Sequence, residues 1–293
     1  MTDVELKHEI VATNGIRLHC VTAGEGPLLL LLHGFPECWY SWRRQIPALA
    51  GAGFKVVAPD LRGYNESDKP EKGYDIDTLL NDALGLIDHY GADRAIVCGH
   101  DWGGAIAWNL AIRFPERVER LIALNLPHPA LLARALRSNI RQMIRSLYII
   151  LFRIPRLPEW LLSLRNYAAI EWMFRGSAVH PEQFSDADIE VYKRAASQPG
   201  ALTAMLSYYR ALDPAKLAEW ARGGAEAMVR APTLMVWGEQ DVALGKELTY
   251  GTAEFAPDLA IHYLPNASHW VQQDQPSEVN RLMVEFLKRS SIG

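Results

Sequence analysis

Short apolar runs alternate with longer amphipathic stretches through the first half of the chain. Residues 28–32, 55–58, 94–98 and 121–124 are apolar on both sides, which predicts strands buried on two faces. Between them, residues 42–50, 76–90 and 105–114 carry apolar side chains near three-to-four spacing, and Pro115 ends the last of these helical patterns. Such strands, separated by helices, predict a mostly parallel sheet flanked by helices. After Pro127-His128-Pro129 the strand runs stop. From about 131 to 220 the pattern is helical, punctuated by Pro155, Pro158, Pro181 and Pro199. Strand runs return at 233–237 and 259–264, and residues 276–289 read as a closing amphipathic helix. The expected division is an α/β core of residues 1–128 and 229–293, with residues 129–228 inserted as a helical cap.

Composition narrows the class. The 293 residues are long enough for one α/β domain with an insertion, and 49% hydrophobic with 22% charged residues is an ordinary globular balance. The net charge is only −4, and no block of five or more like basic residues occurs. That leaves no electrostatic footprint for nucleic acid or an anionic membrane, so the expected ligand is small and uncharged. Cys20, Cys38 and Cys98 are too few for a disulfide framework and lack metal-ligand spacing, which predicts reduced thiols and no metal. The first eight residues mix both charge signs and lack the apolar stretch of a secretory signal, so a cytoplasmic location is expected. The longest apolar runs, 27–32 and 147–152, fall far short of the ~20 residues of a membrane span.

The chemistry concentrates at Gly99-His100-Asp101-Trp102-Gly103-Gly104, which follows the strand at 94–98 and precedes a helix. A side chain on a sharp strand-to-helix turn needs flanking glycines, and this is the setting of a nucleophile elbow. Here the nucleophile position holds Asp101. The bland alternative is a tight turn whose aspartate caps the next helix. A carboxylate attacks strained or activated sp³ carbon and leaves an alkyl ester on the enzyme, so a serine-type esterase is disfavoured. Hydrolysing that ester calls for a base and an oxyanion hole. His33-Gly34-Phe35-Pro36-Glu37 after the 28–32 strand points to the backbone N–H groups of Phe35 and Trp102 as the hole. His269, in Asn266-Ala267-Ser268-His269-Trp270 after the last strand, is the expected base. Gly238-Glu239-Gln240-Asp241 offers its acid, with Asp241 preferred and Glu239 second. Asn125, after the 121–124 strand, is an amide and cannot stabilise imidazolium as a carboxylate does. His100 is expected to make a structural hydrogen bond.

These residues resemble the epoxide hydrolases of the α/β-hydrolase fold, particularly the soluble type and its close relatives. The likeness covers nearly the whole chain and adds Asp60-Leu61-Arg62-Gly63-Tyr64 and Ser197-Gln198-Pro199-Gly200 to the motifs already quoted. It implies that Asp101 attacks an epoxide, that His269 with Asp241 hydrolyses the ester, and that no cofactor is needed. It further implies two cap tyrosines that donate to the epoxide oxygen. Tyr209 in Leu206-Ser207-Tyr208-Tyr209-Arg210 matches the second; Tyr208 is expected to be structural. For the first, alignment on Phe152 and Pro155 puts Leu151 at the tyrosine position, and Tyr148, three residues earlier, is the expected replacement. Phe35, Trp102, Leu151 and Trp270 are expected to line the substrate pocket. An apolar cap with Trp160, Trp172, Phe174 and Met205 suggests an aromatic or aliphatic epoxide. Beyond a small apolar epoxide and water, the expectation is no nucleic acid, no membrane span, and a monomer or homodimer.

A haloalkane dehalogenase shares the fold and the aspartate nucleophile, but Phe35 offers no side-chain donor for a halide. A fluoroacetate-type enzyme would want arginine where Trp102 stands. A non-catalytic binding protein of this fold would have no reason to keep Asp101, Asp241, His269 and Tyr209 together.

Overall fold

The computed structural model describes residues 4–289. Eight strands form one sheet in the order β1-β2-β4-β3-β5-β6-β7-β8. They are β1 (Lys7–Thr13), β2 (Ile16–Ala23), β3 (Leu28–Leu32), β4 (Lys55–Pro59), β5 (Ala95–His100), β6 (Val118–Leu124), β7 (Thr233–Gly238) and β8 (Leu259–Leu264). From β4 through β8 the neighbours pair in parallel, while β1 and β2 pair antiparallel with each other and β2 antiparallel with β4.

The leucines of β3 show how the pattern produces the layers. Leu28, Leu30 and Leu32 enter the apolar cluster on one face, Leu29 and Leu31 the cluster on the other. Each fully buried leucine contributes about 2 kcal/mol relative to exposure, so a strand apolar on both sides is stable only with helices over both faces. Helices α1 (Gln45–Gly51), α2 (Ile76–His89) and α3 (Trp102–Arg113) supply part of that cover: α2 and α3 lie in the first cluster and α1 in the second.

Between β6 and β7 the described chain holds helices and no strand. These are α4 (Pro129–Ser138), α5 (Ile140–Arg145), α6 (Leu147–Phe152), α7 (Leu157–Arg175), α8 (Asp186–Ser197), α9 (Ala201–Arg210) and α10 (Pro214–Arg222). Helix α7 is broken at its middle, where Arg165, Asn166 and Tyr167 take left-handed φ values of 50°, 54° and 58°. Helices α6 and α9 sit over the loops that follow β3 and β5, since Phe152 and Tyr209 pack on Phe35, and Tyr209 also on Trp102. After β8, α11 (Val271–Asp274) and α12 (Pro276–Lys288) close the chain, with α12 on the α1 face. No helix among the described residues is long and apolar enough to cross a membrane.

Three details differ from the sequence reading. The hairpin β1-β2 is additional; its strand β2 is buried yet carries His19 and Thr22, polar residues that break the apolar run. Its two-residue turn, Asn14-Gly15, has positive φ at both positions, as the tightest hairpin turns require. Helix α3 begins three residues before the expected 105, because Gly103 and Gly104 are helical rather than part of the turn. The first expected helix, at 42–50, is instead a short turn of 3-10 helix at Trp39–Trp42 followed by α1.

Candidate active site

Asp101 occupies the single residue between β5 and α3, with φ 49° and ψ −120°. Positive φ in a residue with a Cβ costs about 1–3 kcal/mol and persists only where the surroundings impose it. The surroundings are tight: a Cβ on Gly99 would lie 2.1 Å from the Gly103 carbonyl oxygen, and one on Gly34 would lie 2.4 Å from the Asp101 Cβ. The strain aims the Asp101 carboxylate away from α3, and its side chain makes no cap hydrogen bond to that helix. The helix-cap alternative is therefore excluded.

The parallel register of β3 with β5, which sets Leu32 against Gly99, brings the loop after β3 to the elbow. The Phe35 N–H donates to Asp101 Oδ1 at 2.8 Å. Trp102 opens α3, so its N–H belongs to the first-turn amides that have no acceptor inside the helix. On the other side, His269 Nε2 stands 3.7 Å from Asp101 Oδ2. Burial opposes the charge of Asp101, but the His269 contact, the nearby histidine charges and the Phe35 N–H outweigh it and hold its pKa below the usual carboxylate value.

His269 lies on the loop between β8 and α11, and its Nδ1 donates to Asp241 Oδ2 at 2.7 Å. Asp241 is fixed from all sides. Its Oδ1 accepts from the Ala243 and Leu244 N–H groups at 2.8 and 2.9 Å, and its Oδ2 also accepts from Asn125 Nδ2 at 2.8 Å. Burial works against imidazolium, yet the charge of Asp241 and the contact with Asp101 prevail, raising the His269 pKa well above its ordinary value. The second carboxylate on this loop, Glu239, is paired with Lys246 instead.

Beneath the pair lies a buried polar network. His100 uses Nδ1 on Glu37 Oε2 and Nε2 on the His269 carbonyl oxygen, both at 2.8 Å. Glu37 also accepts from the Gly34 N–H and from the amides of Gln272 and Gln273. His33 Nε2 accepts from the Leu61 N–H at 3.0 Å, and burial lowers its pKa, so a neutral imidazole ties the loop after β3 to Leu61. Asn125, Glu37 and the two glutamines were outside the sequence reading as site residues. The sequence signal for Asn125 and Glu37 is their position on loops at the carboxyl ends of strands, while the two glutamines lie in α11, just after His269.

A cavity of about 300 Å³ opens over Asp101, with a largely apolar lining that includes Trp102, Tyr148, Tyr208 and Tyr209. Tyr148, from α6, and Tyr209, from α9, meet edge to face with ring centroids 5.9 Å apart. Burial, then the negative charge of Asp101, pushes the pKa of each phenol up, so both remain proton donors. Tyr208 spends its hydroxyl on the Arg62 carbonyl oxygen at 2.7 Å.

Three residues expected in the substrate pocket, Phe35, Leu151 and Trp270, do not line this cavity. The Phe35 ring is packed against Phe152 and Tyr209, so its backbone rather than its side chain reaches the site. Trp270 sends its indole N–H to Met173 and Ser177 of the helical segment. Leu151 is half-buried in the core beside the cavity, whose α6 lining comes from Tyr148 and Ile149. Of the cap residues offered as a substrate clue, Phe174 and Met205 are core, while Trp160 and Trp172 are exposed. Cys20, Cys38 and Cys98 are free and buried.

The family model described as the alpha/beta hydrolase fold matches residues 27–276. The AB hydrolase superfamily protein YfhM of Bacillus subtilis (strain 168) is 44% identical over 97% of this chain and 98% of its own length. Epoxide hydrolase 4 of Mus musculus is 38% identical, covering 96% of this chain and 79% of itself. The crystal structure of an epoxide hydrolase from Bacillus megaterium in complex with an inhibitor superposes with a TM-score of 0.89 at 34% identity, over 96% of this chain and all of that one.

Proposed function

Because the chain belongs to the epoxide hydrolases of the alpha/beta hydrolase fold, we propose that it converts an epoxide to a vicinal diol through a covalent ester on Asp101. Residues 129–228 act as the cap over a core of residues 1–128 and 229–293. The observation that carries the reading is the position of Asp101: one oxygen on the Phe35 N–H, the other free toward His269, and two phenols on the same cavity.

Asp101 Oδ2 attacks an epoxide carbon. The carbon–oxygen bond breaks, and the departing alkoxide takes a proton from Tyr209 or Tyr148, which serve as acid and electrophile. Asp101 Oδ1, already at the Phe35 N–H, becomes the ester carbonyl. A water beside His269 then gives up a proton to Nε2 and adds to that carbonyl. The resulting oxyanion is held by the Phe35 and Trp102 N–H groups. Collapse expels the diol oxygen, which takes the proton held on His269 Nε2; the acid formed on Asp101 gives up its proton to the phenolate left by ring opening, and carboxylate, imidazole and phenol are restored. Esterification also removes the negative charge of Asp101, one of the two that raise the His269 pKa. The imidazole thus becomes a competent base only once there is an ester to hydrolyse. The apolar lining, with Leu126, Leu132 and Ile149, favours aromatic or aliphatic epoxides.

Single turnover in oxygen-18 water tests the path. Label enters the Asp101 carboxylate; label found only in the diol would exclude the ester. His269→Gln should accumulate alkyl-enzyme as a mass increase equal to the substrate. Diol release from styrene oxide, compared with halide release from 1-chlorobutane, separates the reading from a dehalogenase: halide release alone would overturn it.

A further inference from the structure

The outer surface of the helical segment is unlike the rest of the molecule. Residues 129–165 hold seven arginines and one glutamate in a chain whose net charge is −4, and that glutamate, Glu159, is paired with Arg210. The arginines never form a block, because they are spaced by helical turns; a run-based reading of charge misses them. Among the described residues no carboxylate lies within ion-pair distance of Arg137, Arg141, Arg145, Arg156 or Arg165, and all five are exposed.

Between these arginines the apolar residues face water. Ile140 is 71% exposed, Ile144 62%, Ile150 63% and Trp160 59%, and Met143, Leu147, Ile154, Leu157, Leu161 and Leu164 are exposed with them. They recur at three-to-four spacing along α5, α6 and the first half of α7, helices that pack in succession against one another. Exposed apolar residues this dense mark an interaction surface. The same helices already bury their other faces, with Gln142, Phe152 and Leu162 inside, so no rearrangement is needed to present the outer one.

We propose that this face docks on an anionic lipid surface, the isoleucines and Trp160 entering the headgroup boundary and the arginines meeting lipid phosphates. An apolar stripe flanked by unpaired arginines is the composition of an interfacial helix. A second copy of the chain is a poorer occupant, because a two-fold contact would set arginine against arginine. Tyr148 and Ile149 of α6 line the reaction cavity while Leu147 and Ile150 of the same helix face outward, so docking brings the membrane within one helix of the site.

Cosedimentation of the full chain with phosphatidylcholine vesicles, with and without phosphatidylglycerol, tests this. The expected result is binding to the anionic vesicles only, weakened by salt. The double variant Arg141→Glu/Arg145→Glu should bind at least roughly thirtyfold more weakly, since loss of each surface arginine alone costs about a fivefold factor. Ile144→Asp/Ile150→Asp should also lose binding, while both variants keep diol formation from a water-soluble epoxide. Failure of the unaltered chain to bind anionic vesicles would overturn the proposal, as would equal binding to neutral ones. A dimer seen by light scattering and lost in the same variants, without vesicle binding, would assign the face to a second copy instead.

Discussion

Asn125 Nδ2 donates to Asp241 Oδ2, the same carboxylate oxygen that accepts the hydrogen bond from His269 Nδ1. The amide oxygen of Asn125 in turn accepts from the Gly238 N–H at 2.8 Å. Asn125 therefore ties the end of β6 to the start of the acid loop and fixes the rotation of Asp241. In the proposed reaction it is a positioning residue, acting on His269 through Asp241.

Asn125→Ala should leave the Gly238 N–H unpaired and remove one of the two hydrogen bonds that hold Asp241 Oδ2. The expected cost is about 1–3 kcal/mol of stability in urea unfolding, together with slower ester hydrolysis and unchanged ester formation. Asn125→Asp would set a second carboxylate against Asp241 and should be worse in both measurements.

Removing the phenols separates the two half-reactions. Tyr209→Phe or Tyr148→Phe should slow ester formation by roughly 10², and the double variant by about 10⁴, measured by rapid quench. The hydrolysis of preformed ester should change little, since neither phenol contacts His269. An unaffected Tyr148→Phe variant would remove Tyr148 from the proposed mechanism.

The titration of His269 has a defined direction. Its pKa in the folded enzyme is raised above the ordinary value of about 6.5. It therefore contributes stability that is fully present below about pH 6.5 and is lost as pH rises through the folded value. Asp101→Asn removes one of the two supporting carboxylates, so the His269 pKa should fall, as followed by imidazole NMR shifts. The same fall should appear in the alkyl-enzyme, where hydrolysis rises with pH through an ionisation lower than that of the free enzyme.

Gly34→Ala would bring a methyl group against the Asp101 Cβ at 2.4 Å. Either the loop after β3 or the elbow must shift, and each carries half of the Phe35–Asp101 hydrogen bond. Activity should drop by more than 10²-fold, since misplacement of about 1 Å costs on that order. Steady-state kinetics beside thermal unfolding would show whether loss of activity exceeds loss of stability.

The parallel strands, the helical segment after Pro129 and the residues Asp101, His269 and Asp241 could all be read from the chain, because each leaves a local mark: an apolar run, a proline, a glycine-flanked acid. The β1-β2 hairpin also left one, Asn14-Gly15, but His19 hid the strand. Its imidazole is buried on Asp60 at 2.6 Å, and no local pattern announces a polar residue satisfied by a partner forty-one positions away.

The sequence by itself determined which side chains are candidates for the proposed reaction and in what order the strands deliver them. Tertiary structure alone decided that Asp101 faces the Phe35 N–H rather than capping α3, that Glu239 turns to Lys246, and that Asn125 braces Asp241. It also set Tyr148 beside Tyr209 and left Leu151 out of the cavity lining. Each of these depends on distances between segments far apart in the chain, fixed by strand register and helix packing, and such distances have no expression in local spacing.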